Sequence, residues 1–343
     1  MKEFKVKAGK LTPDTLRELI FTKLGVSDSS VILGPKVGED AAVIDLKNKV
    51  LVLTMDPITG AVKDLGRLAV HINANDVATR GVMPKYFLVT ILLPSNTSRD
   101  VLEQIMTQMD LAAKELGISI IGGHTEVTPA VNQPVIVGAM IGVALDKRFV
   151  TCSNAKPGNK IILTKYAGIE GTTILAEDCR DYLISKGISQ ELLNEAYSFK
   201  KYISVVKDAE IAMKTGRVTA MHDPTEGGVL GGICEIAEAS ELGVKIFEEK
   251  IMIKESTKKI AKVFGINPLF LISSGTMVIV VEDGEENTVV QALRKAGIEA
   301  NIVGEFTSEQ GVYELITRDG KIKKIDWPRQ DELWTALEKC RGK

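Results

Sequence analysis

At 343 residues, with 45% apolar and 26% charged residues and a formal net charge of −2, the chain has the composition of a globular protein long enough for about two domains. That charge leaves no basic footprint for nucleic acid. The longest apolar run, residues 135–145, holds two glycines and is too short to span a bilayer, so no membrane segment is expected.

The N-terminal MKEFKVKAGK is polar, unlike a signal peptide, and Ala8-Gly9-Lys10 reads as a basic loop. Thr12-Pro13-Asp14 opens a predicted helix over residues 11–24, with proline early and acid in the first turn. Two β-rich runs, residues 41–46 and 49–55, flank Lys47-Asn48 as a hairpin. Asp40 opens the first run and Asp56 follows the second. Two acids at a hairpin mouth repel unless a cation or a proton separates them. Whether they share a face depends on a one-residue register that the sequence leaves open.

Residues 65–81 carry Leu65, Leu68, Ala69 and Ile72 at helical spacing, and Gly81 and Pro84 end the helix. Asp76, eleven residues after Leu65, falls within about 20° of that stripe. A carboxylate in line with a buried face is normally paired, hydrogen-bonded or bound to metal. Taken alone it reads as well as a partly wet acid near a helix end.

Residues 86–93 are apolar on both faces and predict a central strand. Residues 97–116 form a helix opened by a Thr-x-x-Asp capping box. A strand at 118–121 runs into Gly122-Gly123-His124-Thr125-Glu126, a predicted sharp turn whose glycines let a ligand reach main-chain N–H groups. Residues 135–145 are the next buried strand. Lys156-Pro157-Gly158-Asn159 is a turn cluster. It sets a domain boundary near 150, giving domains over 1–150 and 151–343.

The second half has a βα rhythm. A strand at 161–164 leads to a helix opened by Gly168-Ile169-Glu170-Gly171 and reaching about 185. Helices at 190–197 and 203–214 follow. A strand at 218–221 ends in His222-Asp223-Pro224-Thr225-Glu226-Gly227-Gly228, with a helix over 229–241 directly after. Strands are predicted at 269–273, 276–282 and 298–305, with a helix at 285–296. The tail, 331–343, is a short amphipathic helix carrying Leu333, Trp334 and Leu337.

Cys152, Cys179, Cys234 and Cys340 lie far apart with no C-x-x-C, so spacing indicates neither a zinc knuckle nor a disulfide framework. A reducing cytoplasm is the expected setting. No Walker A sequence, G-x-G-x-x-G after a strand, G-x-S-x-G elbow or H-E-x-x-H occurs. A lone His124 or His222 in a loop is more often a hydrogen-bonding partner than a ligand. Asp40, Asp56, Asp76 and Asp223 instead sit at predicted element ends beside Gly or Pro. Hard oxygen ligands of that kind suit Mg²⁺ with a phosphate-bearing substrate. Gly122-Gly123 and Gly227-Gly228 offer N–H donors to phosphate, the second pair at a helix N-terminus. The residues thus describe a metal–phosphate site shared by two α/β halves. The two-sided apolar strands at 86–93 and 135–145 need cover that one helical layer does not give, which predicts a homodimer through the first domain.

Gly38-Glu39-Asp40-Ala41-Ala42-Val43, Asp56, Asn75-Asp76-Val77-Ala78, Gly122-Gly123-His124-Thr125 and His222-to-Gly228 stand in an order that resembles one superfamily. It comprises aminoimidazole ribonucleotide (AIR) synthetase, formylglycinamidine ribonucleotide synthetase, thiamine monophosphate kinase, selenophosphate synthetase and the hydrogenase maturation factor HypE. Gly9-Lys10-Leu11, Leu68-Ala69-Val70-His71 and Met221-to-Gly228 bring the chain nearest to HypE.

The resemblance implies a two-domain AIR synthase-like fold of mixed α+β and α/β character. Its N-terminal mixed sheet joins a second copy in a dimeric barrel, and ATP lies in the cleft against a C-terminal α/β domain. It implies ATP with Mg²⁺ or Mn²⁺, with metal ligands drawn from Asp40, Asp56, Asp76, Glu126 and Asp223. Lys10, Asn75, Gly122, Gly123, Thr125, Gly227 and Gly228 would bind the nucleotide, and Asp76, His124 and Asp223 would be catalytic. Partners would be ATP or a phosphorylated small molecule, a second copy, and a hydrogenase-maturation-type protein.

Two departures mark the chain. HypE ends in Pro-Arg-Ile-Cys, whereas Cys340 here is followed by Arg341-Gly342-Lys343. His124 stands where HypE and thiamine monophosphate kinase have aspartate, with Glu126 as a candidate replacement. The catalytic Cys or Sec loop of selenophosphate synthetase is also missing near Lys10. The expectation is an ATP- and Mg²⁺-dependent phosphoryl-transfer enzyme, HypE-like without the HypE tail, with an unidentified acceptor. A metal-dependent phosphatase or nucleotidase on the same acids, or a non-catalytic nucleotide-binding maturation partner, are the alternatives.

Overall fold

The computed structural model describes residues 11–59, 64–327 and 330–342. Two sheets organise it. The first has strands β1 (Val31–Leu33), β2 (Ala42–Asp45), β3 (Val50–Ile58), β4 (Pro84–Leu93), β5 (Ser119–Val127) and β6 (Val135–Ala144), in the order β1-β2-β3-β6-β4-β5. Only β4 and β5 pair in parallel. Helix α1 (Pro13–Thr15) precedes the sheet, α2 (Leu65–Thr79) lies on β3 and β6, and α3 (Arg99–Leu116) packs on α2.

The second sheet has β7 (Lys160–Thr164), β8 (Val218–His222), β9 (Gly243–Phe247), β10 (Val278–Val281), β11 (Ala300–Thr307), β12 (Tyr313–Ile316) and β13 (Ile322–Lys324), in the order β13-β12-β9-β11-β7-β10-β8. Its pairs are antiparallel except β12 with β9. Its helices are α4 (Ile169–Asp178), α5 (Arg180–Ser185), α6 (Gln190–Ser198), α7 (Val206–Lys214), α8 (Gly228–Ala239), α9 (Glu255–Phe264), α10 (Glu286–Lys295) and α11 (Glu332–Arg341).

Strand alternation sorts the core. Ile162, Met221 and Ile279 face α7 and α10 and merge with the core under α2, so one apolar body crosses between the sheets. Ile161, Leu163, Ala220, Val278 and Val280 point the other way, onto α8. A third cluster joins α4, α5, α6, α9 and α11.

Several expectations need correction. The helix over 11–24 shrinks to α1 and a π turn at Leu16–Ile20, because Leu11, Leu19, Ile20 and Leu24 find no core and stay exposed. The capping box at Thr97 does not form. Thr97 Oγ1 donates to Pro94 O at 2.8 Å instead, and the helix starts one residue after Ser98. Asp56 and Pro57 lie inside β3, which runs on to Ile58 along β6. Residues 269–273 are not a strand: Pro268–Phe270 is a 3₁₀ turn, with Asn267 Oδ1 accepting from Leu269 N at 3.0 Å. That turn is wedged against the start of α8, where a Cβ on Gly228 would meet Leu269 O at 2.6 Å.

The largest correction concerns residues 122–126. They are extended within β5 at the exposed sheet edge, with no turn. A Cβ on Gly123 would overlap Val89 O, so the glycine serves close pairing with β4. The cysteines also depart from expectation, since Cys179 and Cys340 form a disulfide with Cα atoms 5.8 Å apart. Sequence separation, 161 residues, hid that proximity.

Candidate functional site

The C-terminal half of α2 is buried all round, wedged between the first sheet and the second half of the chain, and it carries the polar residues of the site. Asn73 fixes β3: its Oδ1 accepts from Asp56 N at 2.9 Å and its Nδ2 donates to Asp56 O at 3.3 Å. Asn75 is committed elsewhere. Its Nδ2 donates to Ile203 O and its Oδ1 accepts from Val205 N, both at 2.9 Å. The expected nucleotide ligand is therefore a clamp between the halves.

Asp76, 6% exposed, accepts from Thr54 Oγ1 at 2.8 Å. Burial raises its carboxyl well above the usual range, and the charges of Asp223, Asp56 and Asp40 raise it further. Four acids from β3, α2 and the segments flanking β2 and β8 thus converge, as read from the sequence. They do not converge as equals.

Asp40 is held by cations already present. Its Oδ2 accepts from Thr79 Oγ1 at 2.9 Å and from Arg80 Nη2 at 3.0 Å, and its Oδ1 lies 2.8 Å from His222 Nδ1. Burial alone would raise the Asp40 carboxyl, but His222, Arg80 and Thr79 outweigh it and hold it below the ordinary range. His222 is clamped on its other side by Glu235 Oε2, 2.6 Å from Nε2. Burial would lower its pKa, but Asp40, Cys152 and Glu235 raise it well above ordinary.

Arg80, fully buried, also pairs with Glu39 and donates to Met221 O at 3.0 Å and Cys152 Sγ at 3.1 Å. Glu39 accepts from the N–H groups of Cys152 and Ser153. Among the described residues, Asp40, Cys152 and His222 offer the one group of three ligand atoms within 4.8 Å. The Arg80 guanidinium stands among them as the cation. Asp40 is thus part of an ionic latch between the halves. Sequence reading missed Glu39, Arg80, Cys152 and Glu235; the adjacency of Glu39 and Asp40 was the available signal.

Asp56 and Asp223 lie close enough to Asp76 for their charges to act on its carboxyl, and Asp223 is 1% exposed. The other expected ligands are not brought in. Registers align Asp56, Gly138, Val89 and Gly123 in one row across β3, β6, β4 and β5. Gly123 is therefore three strands, roughly 14 Å, from Asp56. Gly122, His124, Thr125 and Glu126 share that edge, where His124 Nε2 and Glu126 Oε2 lie 3.2 Å apart in solvent. Gly227 N is taken by Asp331 Oδ2 at 2.7 Å, and Gly228 N donates to Thr225 O at 3.1 Å, so neither offers a phosphate cradle. Lys10 lies outside the described residues.

Beside the acids a cavity of about 340 Å³ opens between α2, α4 and α11. Asp56 and Ile58 of β3 form one end, and Glu170, Glu226 and Ser274 line another part of its wall.

A fold of two such sheets, with acids gathered where they meet, defines the class. The AIR synthase related protein N-terminal domain matches residues 38–144, and the C-terminal domain matches residues 156–316. The chain belongs to the AIR synthase-related family. Within it, similar proteins include several named for hydrogenase expression or maturation, and solved thiamine monophosphate kinases share the fold. A Methanocaldococcus jannaschii protein named for hydrogenase expression and formation is 28% identical over 334 residues, covering 95% of this chain and 96% of that one. Carbamoyl dehydratase HypE of Rhizobium leguminosarum is 26% identical, covering 87% and 85%.

A solved HypE–HypF complex superposes with a TM-score of 0.72 at 26% identity, over 83% of this chain and 93% of that one. HypE solved in complex with ATP gives a TM-score of 0.71 at 23% identity, over 95% and 97%, and shares the fold. No helix among the described residues is long and apolar enough to cross a membrane.

Proposed function

We propose that this chain is an ATP-dependent phosphoryl-transfer enzyme of HypE type, with Mg²⁺ or Mn²⁺ held by Asp56, Asp76 and Asp223. The observation that carries this reading is Asp76: a buried carboxylate crowded by three others. A structural core gains nothing from such an arrangement, whereas a cation–phosphate site needs it. The metal, when bound, would neutralise phosphate charge. The chain's own groups position it, with Thr54 orienting Asp76 and Asn73 fixing the backbone of Asp56. The likeness to carbamoyl dehydratase HypE, and to HypE solved with ATP, supports ATP as the donor. The HypE–HypF complex supports a maturation-type protein as partner.

The test is Asp76→Asn. ATP turnover with Mg²⁺ should fall at least about a hundredfold, about 2.7 kcal/mol in barrier. The same substitution removes a crowded charge, so the metal-free thermal midpoint should hold or rise. Turnover that survives the substitution overturns the site.

A further inference from the structure

The cavity beside the acids carries chemistry that phosphate binding does not use. Leu68, Ile169, Phe199 and Trp334 give it apolar walls. Its polar wall is acidic, with Glu170 in the first turn of α4 and Glu226 before α8. Lys200, one of two bases in the wall, is committed to Asp64 and Glu177. Burial raises the Glu170 carboxyl most, Ser274 draws it back, and the Glu226 charge adds to the rise. Ser274 is 1% exposed, yet neither its Oγ nor Glu170 Oε2 completes a hydrogen bond. Buried polar atoms without partners are rare in native proteins and call for an explanation, which a ligand supplies here.

We propose that this cavity binds an organic cation, an ammonium or amidinium on an apolar body, with Glu170 and Ser274 Oγ accepting from its N–H groups and the Trp334 ring beside the charge. Six acids and two bases line the cavity, so an anion would face a net negative wall. A bare metal ion would leave the apolar walls unfilled. Asp56 lies in the wall of the same cavity, so the bound molecule reaches the metal–phosphate site. Its identity as the phosphoryl acceptor rests on the function proposed above; its binding does not.

Benzamidine titrated calorimetrically into the full chain, without nucleotide, tests the site, with benzoate and MgCl₂ as parallel probes. Benzamidine should bind saturably and benzoate should give no binding heat. Glu170→Gln should weaken benzamidine at least tenfold, and Ser274→Ala at least threefold, each with the thermal midpoint of the parent. If Glu170→Gln fails to fold, Ser274→Ala carries the comparison. Benzamidine that does not bind at millimolar concentration, that binds both variants as tightly as the parent, that benzoate matches, or that Mg²⁺ displaces, overturns the proposal. ATP turnover is measured separately. Benzamidine binding without turnover would sink the enzymatic reading and leave the cation site standing, and turnover without benzamidine binding would do the reverse.

Discussion

Arg80 and Asp76 sit four residues apart on and just past one helix and do opposite things. Arg80 resolves its charge: Glu39, Asp40, the Cys152 sulfur and the Met221 carbonyl surround the guanidinium, and the two halves are joined through it. Asp76 has Thr54 Oγ1 as its hydrogen-bond donor and three carboxylates nearby, and burial with their charges raises its carboxyl. The two therefore respond oppositely to substitution. Arg80→Met strands Glu39 and Asp40 in the interior, which should cost about 3–5 kcal/mol of stability. A urea midpoint unchanged from the parent would contradict the latch.

Among elements, α11 is the helix expected from the tail's amphipathic pattern, and it is firmly tied. Asp331 caps it, accepting from Leu333 N at 2.7 Å, and the same carboxylate reaches Gly227 N at the start of α8. Leu333, Ala336 and Leu337 enter the third core cluster, and Cys340 is bonded to Cys179 at the break between α4 and α5. A tail fixed at both ends is no swinging arm, so Cys340 is not positioned to carry a reacting group into the acid cluster. Cys340→Ala should leave ATP turnover within about threefold, under roughly 0.7 kcal/mol in barrier. It should lower the thermal midpoint under oxidising conditions, since the cross-link closes a long loop of the unfolded chain. Abolished turnover in that variant would restore a HypE-like tail chemistry.

At the scale of the molecule, the described residues cover the first sheet on one face only. Met55, Ala139 and Leu88 align in register on the other face, with Met55 65% and Leu88 38% exposed. A contiguous apolar sheet face of this kind marks an interaction surface, and a second copy is the partner expected from the sequence. Sedimentation of the 37.2 kDa chain at micromolar concentration should report twice that mass. Leu88→Glu should return it to the monomer without loss of helical circular dichroism. A monomeric parent would refute the dimer.

Local pattern was enough for much of this. The stripe Leu65-Leu68-Ala69-Ile72 and the stop at Gly81 place α2, because both depend on neighbours along the chain; that the acids 40, 56, 76 and 223 share one site was implied by the motif order of the family the chain resembles. Alternation decided strand existence but not register, so the extension of β3 through Asp56 and Pro57 was invisible. The extended form of Gly122-Gly123 follows from close pairing with Val89, a contact more than thirty residues away in sequence. The same holds for charge. Nothing near Asp40 in sequence tells that Arg80 and His222 neutralise it, and nothing near Gly227 tells that Asp331 takes its N–H. Periodicity determined elements such as α2 and the buried strands β4 and β6. Which buried acids are paired with cations was decided by tertiary structure, because partnership of buried charges is set by groups that folding brings together from distant parts of the chain.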